Sequence, residues 1–324
     1  AGIDMVIDDL GGAAEFPNCA VTAVSPAPDL QVFAQPAAGD PHNVAARFLG
    51  QLFPAGDQGR IPVVSITGTN GKTTTSQMVA AIVQEAGYKV GLACSEGVYI
   101  DGVQVQQNDR SGTWGAFRVF LEETVEVGVL ETALGGMSLT GFGFDRCDIG
   151  ICTNIAAEHM SMIGIHSVDD LMIQKRQVIE RTTGTAVLNA EDPRCLAMRD
   201  HTSAEHIVLV AHNAVHPAIT RHCEAGGTAI VIDPPGADGK LCICNSGGLE
   251  SLLPLAEIPA TCGGAALYNA ENAMFAVAAT IGLGLSREAI IAGLRNFSMS
   301  RVTAPGRLNI FEGLPFQVVV DYAH

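Results

Sequence analysis

Positive charge is scarce in this sequence. Lys and Arg number 18 against 34 Asp and Glu, leaving a net charge of −16 over 324 residues. A surface of that sign repels phosphate backbones and anionic lipids, so neither nucleic acid nor membrane is an expected partner. Any phosphate bound here must be held locally, by N–H groups, a lysine or a metal ion. Charged residues of both signs reach only 16% while hydrophobic ones reach 48%, which argues against disorder and for large buried cores. A long apolar run is also missing. The longest uncharged stretch near the C-terminus, Asn272 to Ser286, is too short to span a bilayer and contains polar residues. Paired cysteine spacing is absent as well. Of nine cysteines only Cys242 and Cys244 lie close together, and no second pair or secretory signal accompanies them. Reduced, buried thiols in the cytoplasm are therefore expected, rather than a metal site or a disulfide framework.

What is present is organised in three stretches, with no internal repeat and no low-complexity tract. Residues 1 to about 35 hold two short apolar runs, Ile3 to Ile7 and Val21 to Val24, read as strands of something upstream. Pro26, Pro28, Pro36 and Pro41 mark a boundary, followed by a short helical pattern over Asn43 to Leu52. From Arg60 strands and helices alternate. Ile61 to Thr67, Val125 to Leu130, Ile149 to Thr153, Val187 to Asn189 and Ile207 to Val210 read as buried parallel strands. Thr73 to Ala86 is helical, with Met78, Val79, Ile82, Val83 and Ala86 on one stripe and Gly87 as its C′ glycine. The expected fold is α/β, a P-loop-type, mostly parallel sheet flanked by helices. Residues 219 to 257 are read as a small β-rich excursion, Asn269 to Leu283 as a helix and Phe316 to Val320 as a last strand. Ala1 and the strand-like run ending at His324 are read as cut ends.

The strongest motif is Thr67-Gly68-Thr69-Asn70-Gly71-Lys72-Thr73-Thr74-Thr75, between a buried strand and a helix. Successive N–H groups from Gly68 to Thr73 converge on an anion there, and the helix N-terminus adds positive partial charge. Lys72 reaches the β- and γ-phosphates and the Thr73 hydroxyl touches Mg²⁺. The strict Walker pattern has glycine where Ile66 stands, so the loop is a variant. Glu131 ends a buried strand, and a carboxylate on a neighbouring strand tip beside a phosphate loop is expected to bind Mg²⁺. Ser167 caps a helix with Asp170 at N3, and Lys175 shares the apolar face of that helix with Leu171 and Val178. A lysine in that position either finds a partner or snorkels its head to solvent.

TGTNGKTTT resembles the nucleotide loop of the Mur ligase superfamily, which includes folylpolyglutamate synthase and cyanophycin synthetase. Gly97 to Gly102 (GVYIDG), Val129 to Ala133 with Gly135-Gly136, Gly143 to Asp148 (GFDRCD), Leu188 to Pro193 and Tyr268-Asn269 with Asn272 are similar to cyanophycin synthetase in particular. The resemblance implies an ADP-forming carboxylate–amine ligase that activates its acid as an acyl phosphate. Its cofactors would be ATP and Mg²⁺, with Mn²⁺ an alternative. Its substrates would be a small amino acid and a peptide or polymer, here a poly-aspartate/Asp-Arg chain, and homo-oligomerisation stays open. It implies ATP contacts from Gly68, Thr69, Asn70, Gly71, Lys72, Thr73 and Thr74, and from Asn272 (adenine), Arg307 and Asp321. Asn269 is either an adenine contact or a helix cap. The first metal would take Thr73 and Glu131. The second would take His159, in Thr153-Asn154-Ile155-Ala156-Ala157-Glu158-His159, and Lys175 if carbamylated. Lys72, Lys175 and His159 are the expected catalytic residues.

By the same resemblance, residues 1–40 match the tail of an ATP-grasp-like domain, 41–60 a linker, 61–313 the central ATP-binding domain and 314–324 the start of a truncated C-terminal domain. Two departures qualify the likeness. Ala23-Val24-Ser25 stands where the grasp tail has Glu-Val-Asn metal ligands, so a grasp site there is expected to be inactive. Leu134, Leu139 and Thr140 stand where the family has arginines. A lost guanidinium–carboxylate bond is worth about 1.5–3 kcal/mol, so a different acceptor or weaker binding is expected. The competing readings are a catalytically silent nucleotide-binding module and another Mur-type ligase such as folylpolyglutamate synthase; GVYIDG and GFDRCD weigh against the latter.

Overall fold

Strands that are apolar on both faces need cover on both, and the runs found above obtain it in an eleven-stranded sheet with helices on each side. The structure is a computed structural model that describes residues 2–8, 18–53, 55–57, 59–157, 164–299, 305–311, 315–316 and 318–322. It divides into two units, Ala1–Arg60 and Ile61–His324.

In the first unit β1 (Gly2–Ile7) pairs antiparallel with β2 (Cys19–Ser25), and α1 (Gln31–Ala34) and α2 (Val44–Leu52) follow. Asn43 caps α2, its Oδ1 accepting from the Ala46 N–H at 2.8 Å.

The second unit begins with β3 (Val63–Thr67), α3 (Lys72–Glu85), β4 (Val90–Cys94), β5 (Gly97–Ile100), β6 (Val103–Gln107) and α4 (Thr113–Phe120). It continues through β7 (Val127–Glu131), α5 (Leu134–Thr140), β8 (Cys147–Cys152), α6 (Val168–Glu180), β9 (Thr182–Asn189), α7 (Pro193–Ala197) and β10 (His206–Ala211). Next come α8 (Pro217–Glu224), β11 (Thr228–Asp233), β12 (Lys240–Asn245), β13 (Gly248–Pro254), α9 (Leu267–Gly282) and α10 (Arg287–Asn296). A separate antiparallel pair, β14 (Asn309–Phe311) and β15 (Val318–Val320), completes it.

The sheet runs β13-β12-β11-β10-β9-β8-β3-β7-β4-β5-β6, parallel from β11 to β4 and antiparallel at both edges. Alternation along each strand sends Ile149, Ile151, Val208, Val210, Ile230 and Ile232 to the side covered by α3, α9 and α10. Cys152, Leu209, Ala211, Ala229 and Val231 face the opposite side, with α6 and α8.

Three readings are refined. Helix α3 is not a one-stripe amphipathic helix: Thr73 through Ala80 are all buried, because α9 and α10 cover the side turned from the sheet, while Ala86 is only half-buried. The Gly87 ending holds, with the Gly87 N–H donating to Gln84 O and the Tyr88 N–H to Val83 O. The β-rich stretch over 219–257 starts within α8, and its strands prolong the main sheet rather than standing apart. Asn269 is no cap. Helix α9 starts at Leu267, and Asn269 lies inside it, donating to Ala260 O at 2.8 Å.

All nine cysteines are free thiols; six are buried as expected, but Cys19 and Cys244 are half-buried and Cys262 is exposed. Burial pushes Cys94 and Cys147 up to about 12. Among the described residues no helix is long and apolar enough to cross a membrane.

Candidate active site

The topology decides what surrounds the phosphate loop. From β3 the chain passes through α3 to β4, which lies two positions away; β7 returns to fill the gap, and β8 then pairs on the other side of β3. This reversal is a topological switch point, where strand tips on both sides face one crevice. Register sets the heights: Ile66 pairs with Glu131 and Thr67 with Cys152. Glu131 and Thr153-Asn154 therefore flank the loop, although they lie far from it in sequence.

Asn154 holds the first half of the loop. Its carbonyl accepts from the Thr69 N–H and its Oδ1 from the Asn70 N–H, both at 2.8 Å. Thr153 Oγ1 donates to Asn70 O at 2.6 Å. An N–H cradle over the whole of Gly68–Thr73 is thus corrected, because Thr69 and Asn70 spend their donors on the scaffold. Among the described residues no acceptor is bonded to the N–H of Gly71, Lys72, Thr73 or Thr74. These are the donors that a helix N-terminus leaves over, at the positive end of its dipole. The loop needs glycine at two points. Gly68 has φ +139° and a Cβ there would lie 1.9 Å from Thr153 Oγ1; Gly71 has φ +85° and its Cβ would lie 2.2 Å from Asn272 Oδ1. Gly68→Ala is expected to cost about 1–3 kcal/mol in backbone strain alone and to lower the thermal midpoint. An unchanged midpoint would mean that Thr153 does not clamp the loop.

The carboxylate of Glu131, 2% exposed, accepts from Thr73 Oγ1 at 2.9 Å. It also accepts from the N–H and the hydroxyl of Ser95, each at 2.9 Å. Ser95, at the tip of β4, was not foreseen, because only the β4–β7 pairing brings it to Glu131. Nearby, Arg307 Nη2 reaches Thr73 Oγ1 at 3.5 Å and Glu96 Oε1 at 3.9 Å, and its guanidinium lies over the Tyr322 ring. Burial raises the Glu96 carboxyl above its ordinary value; Arg307 opposes this, and Glu131 and Asp109 add to it. Glu96 is a second member of the site that the sequence pattern did not mark.

Lys175, 1% exposed, is among the largest fully buried side chains of the described residues. Its Nζ donates to Thr69 Oγ1 at 3.0 Å, so the snorkelling alternative does not hold. Ser167 caps α6 as expected, accepting from the Asp170 N–H at 3.1 Å, while the Asp170 carboxylate reaches back to the His166 N–H at 3.0 Å. Lys72 Nζ folds back onto Thr69 O at 2.7 Å. Asn272 packs against the loop. Its Oδ1 accepts from Thr75 Oγ1 at 3.3 Å and its Nδ2 donates to Asn269 Oδ1 at 3.1 Å. Asp321 accepts from the Tyr268 hydroxyl at 3.2 Å; burial, then Asp321, pushes that phenol up to about 12. His159 and Glu158 lie outside the described residues.

The charges divide the site chemically. The free N–H groups, Lys72 and Arg307 favour an anion, while Glu131 and Glu96 repel one at close range. Thr73 and Glu131 are the residues that would hold a divalent cation here, which would offset the repulsion between a bound anion and these carboxylates. The donors beside Thr73 are oxygens, which suit Mg²⁺. Among the described residues no three His, Cys, Asp or Glu side chains gather as a metal cage.

Residues 66–280 match the family described as the Mur ligase middle domain. The whole chain is similar to the cyanophycin synthetase of Synechocystis sp., at 36% identity over 326 aligned residues, and it spans 37% of that protein's length. Among solved structures it is similar to Mycobacterium tuberculosis folylpolyglutamate synthase complexed with ADP and AMPPCP, with TM-score 0.58 and 19% identity, covering 82% of this chain and 64% of that one. A bifunctional folylpolyglutamate synthase/dihydrofolate synthase with Mn, AMPPNP and L-glutamate bound gives TM-score 0.56 and 22% identity over the same shares. At such identities the likeness is one of fold.

Proposed function

The chain belongs to the Mur ligase family, matching its middle domain, and we propose that it forms the ATP-binding core of an ADP-forming carboxylate–amine ligase. One observation carries this reading: the N–H groups of Gly71 to Thr74, unbonded among the described residues, open beside the buried Thr73–Glu131 pair. An anion cradle that borders a fixed carboxylate has the parts that phosphoryl transfer needs, which are positioning and charge compensation.

In this reading the N–H groups and Lys72 bind the phosphates, and Lys72 exchanges its bond to Thr69 O for the β- and γ-oxygens. Thr73 and Glu131 would hold a Mg²⁺, which when bound supplies charge neutralisation for the phosphates. Ser95 keeps both carboxylate oxygens of Glu131 oriented, and Arg307 reaches in from the far side. Asn272, beside Gly71, is the proposed adenine contact, exchanging its bonds to Thr75 and Asn269 for the base; Asp321 is the proposed contact beyond it. Lys175, carbamylated, would join His159 at a second cation. A substrate carboxylate oxygen attacks the γ-phosphorus, the bond to the β-phosphate oxygen breaks and ADP leaves. The amine then attacks the acyl carbon, phosphate departs and the amine proton passes to solvent.

The Synechocystis relative is named a cyanophycin synthetase, which supports an aspartate- or arginine-bearing chain as acceptor. Because the present chain spans only 37% of that relative, the test uses the intact protein in an ADP-release screen against aspartate, arginine, glutamate and Asp–Arg peptides. ADP release that requires both an acid and an amine supports the ligase. ATP binding without release for any pair favours a silent module, the reading that Leu134, Leu139 and Thr140 support by replacing arginines. Failure to bind ATP sinks both.

A further inference from the structure

We propose that the cavity between α3 and the β4–β5 pair is a second binding site, for a neutral single-ring molecule that carries a hydrogen-bond donor and acceptor side by side, such as a lactam or a ring carboxamide. The observation behind it is Gln77. This side chain is 5% exposed and lines the cavity, and neither its Oε1 nor its Nε2 has a partner among the described residues. A glutamine amide offers an acceptor and two donors in one plane, and buried amides in folded proteins are almost always bonded. Its neighbours on α3 show the usual outcome: Ser76 donates to Lys72 O at 2.8 Å and Thr75 to Asn272. Gln77, one residue further along α3, lines a space instead of meeting a partner among the described residues.

The space has a defined size and character. Its volume is about 150 Å³, the size at which an apolar protein cavity takes one benzene ring. Ala80, Val90, Leu92 and Phe297 form buried apolar walls suited to the faces of a ring. Tyr99 and Gln84, both half-buried, stand where the cavity meets the surface. Among the described residues no Lys, Arg, His, Asp or Glu lines it, and the Asp101 carboxylate is turned to the Gln84 amide at the rim. A charged ligand would lose its water without gaining a counter-charge, so the occupant is neutral. An amide edge paired with the Gln77 amide through two parallel hydrogen bonds satisfies both of its unbonded atoms. The phosphate loop contributes no lining residue, so the cavity is separate from the nucleotide crevice and the inference does not depend on the ligase reading.

The test titrates the full chain with 2-pyridone, benzamide, toluene and benzoate, following the Gln77 and Gln84 side-chain amides by NMR, and soaks crystals with the two best binders. Saturable binding of 2-pyridone and benzamide, with benzoate at least tenfold weaker, is expected. Gln77→Leu should weaken 2-pyridone about tenfold, the value of one to two hydrogen bonds, while toluene binds as well or better. Ala81→Phe, introduced from the partly exposed wall, should exclude every probe and serves as the second variant if Gln77→Leu folds poorly. The proposal is overturned by benzoate binding as tightly as benzamide, by 2-pyridone binding unaffected in Gln77→Leu, or by crystals that show only ordered water against Gln77 at saturating probe.

Discussion

Replacing Lys72 with alanine will abolish measurable ATP binding while leaving the fold nearly as stable as before. In the structure Lys72 Nζ makes one bond, to the carbonyl of Thr69, and a half-buried lysine on a single carbonyl contributes little to folding. With nucleotide bound, the same ammonium is proposed to bridge two phosphates. Hydrogen bonds to charged groups are worth about 1.5–3 kcal/mol each, so losing two lowers affinity by roughly 10²–10⁴-fold. The loss is enlarged because the chain has little other positive charge to offer, with 18 Lys and Arg against 34 acids. Calorimetric titration with a non-hydrolysable ATP analogue measures the affinity, and thermal unfolding without nucleotide checks the fold. Unchanged affinity in a folded variant removes the phosphate-loop assignment.

Lys175 gives the second large effect, and its test separates two roles for one buried side chain. As a packing element, Lys175 fills space on the Leu171–Val178 face of α6 and bonds Thr69 Oγ1. Lys175→Ala then leaves a cavity, at about 2–5 kcal/mol by analogy with other large-to-small core changes. As a carbamate it would also supply a carboxylate to a cation, and its loss would lower turnover by about 10²–10³-fold, the usual scale for one electrostatic group. Short carboxylic acids distinguish the two. Formate, acetate or propionate should restore part of the activity of Lys175→Ala and none to Lys175→Met, where the space stays filled. Full activity of Lys175→Ala without additive would make the residue structural; rescue of both variants alike would exclude a carboxylate bound in the vacated space.

The loop and its lysine were legible because strand, turn and helix are consecutive in the chain. Ile61 to Thr67, the glycines, Lys72 and the helical run carry their meaning within one local pattern. Glu131 was legible by a weaker route: a carboxylate at the end of a buried run sits on a strand tip, and tips of parallel strands share an edge. Lys175 stood out as a charge on an apolar face, yet the pattern left open whether its head reached solvent. The structure resolves that, since its partner Thr69 lies 106 residues away. Asn269 was ambiguous for a related reason. Its place at the helix start depended on a boundary that lies two residues earlier, at Leu267.

The sequence by itself determined the family of fold and the strand–loop–helix order around Gly68 to Thr73, because backbone hydrogen bonding and hydrophobic periodicity act over a few neighbouring residues. Tertiary structure decided how the strand tips meet the loop. The order β8-β3-β7-β4 and its register bring Asn154 against Thr69 and Asn70, Glu131 against Thr73, and Ser95 against Glu131. Pairing between distant strands follows from the packing of whole faces, a property that no short stretch of residues contains. For the same reason only the folded chain reveals that Thr69 and Asn70 are clamped, that Arg307 reaches Thr73 and that Gln77 looks into a cavity.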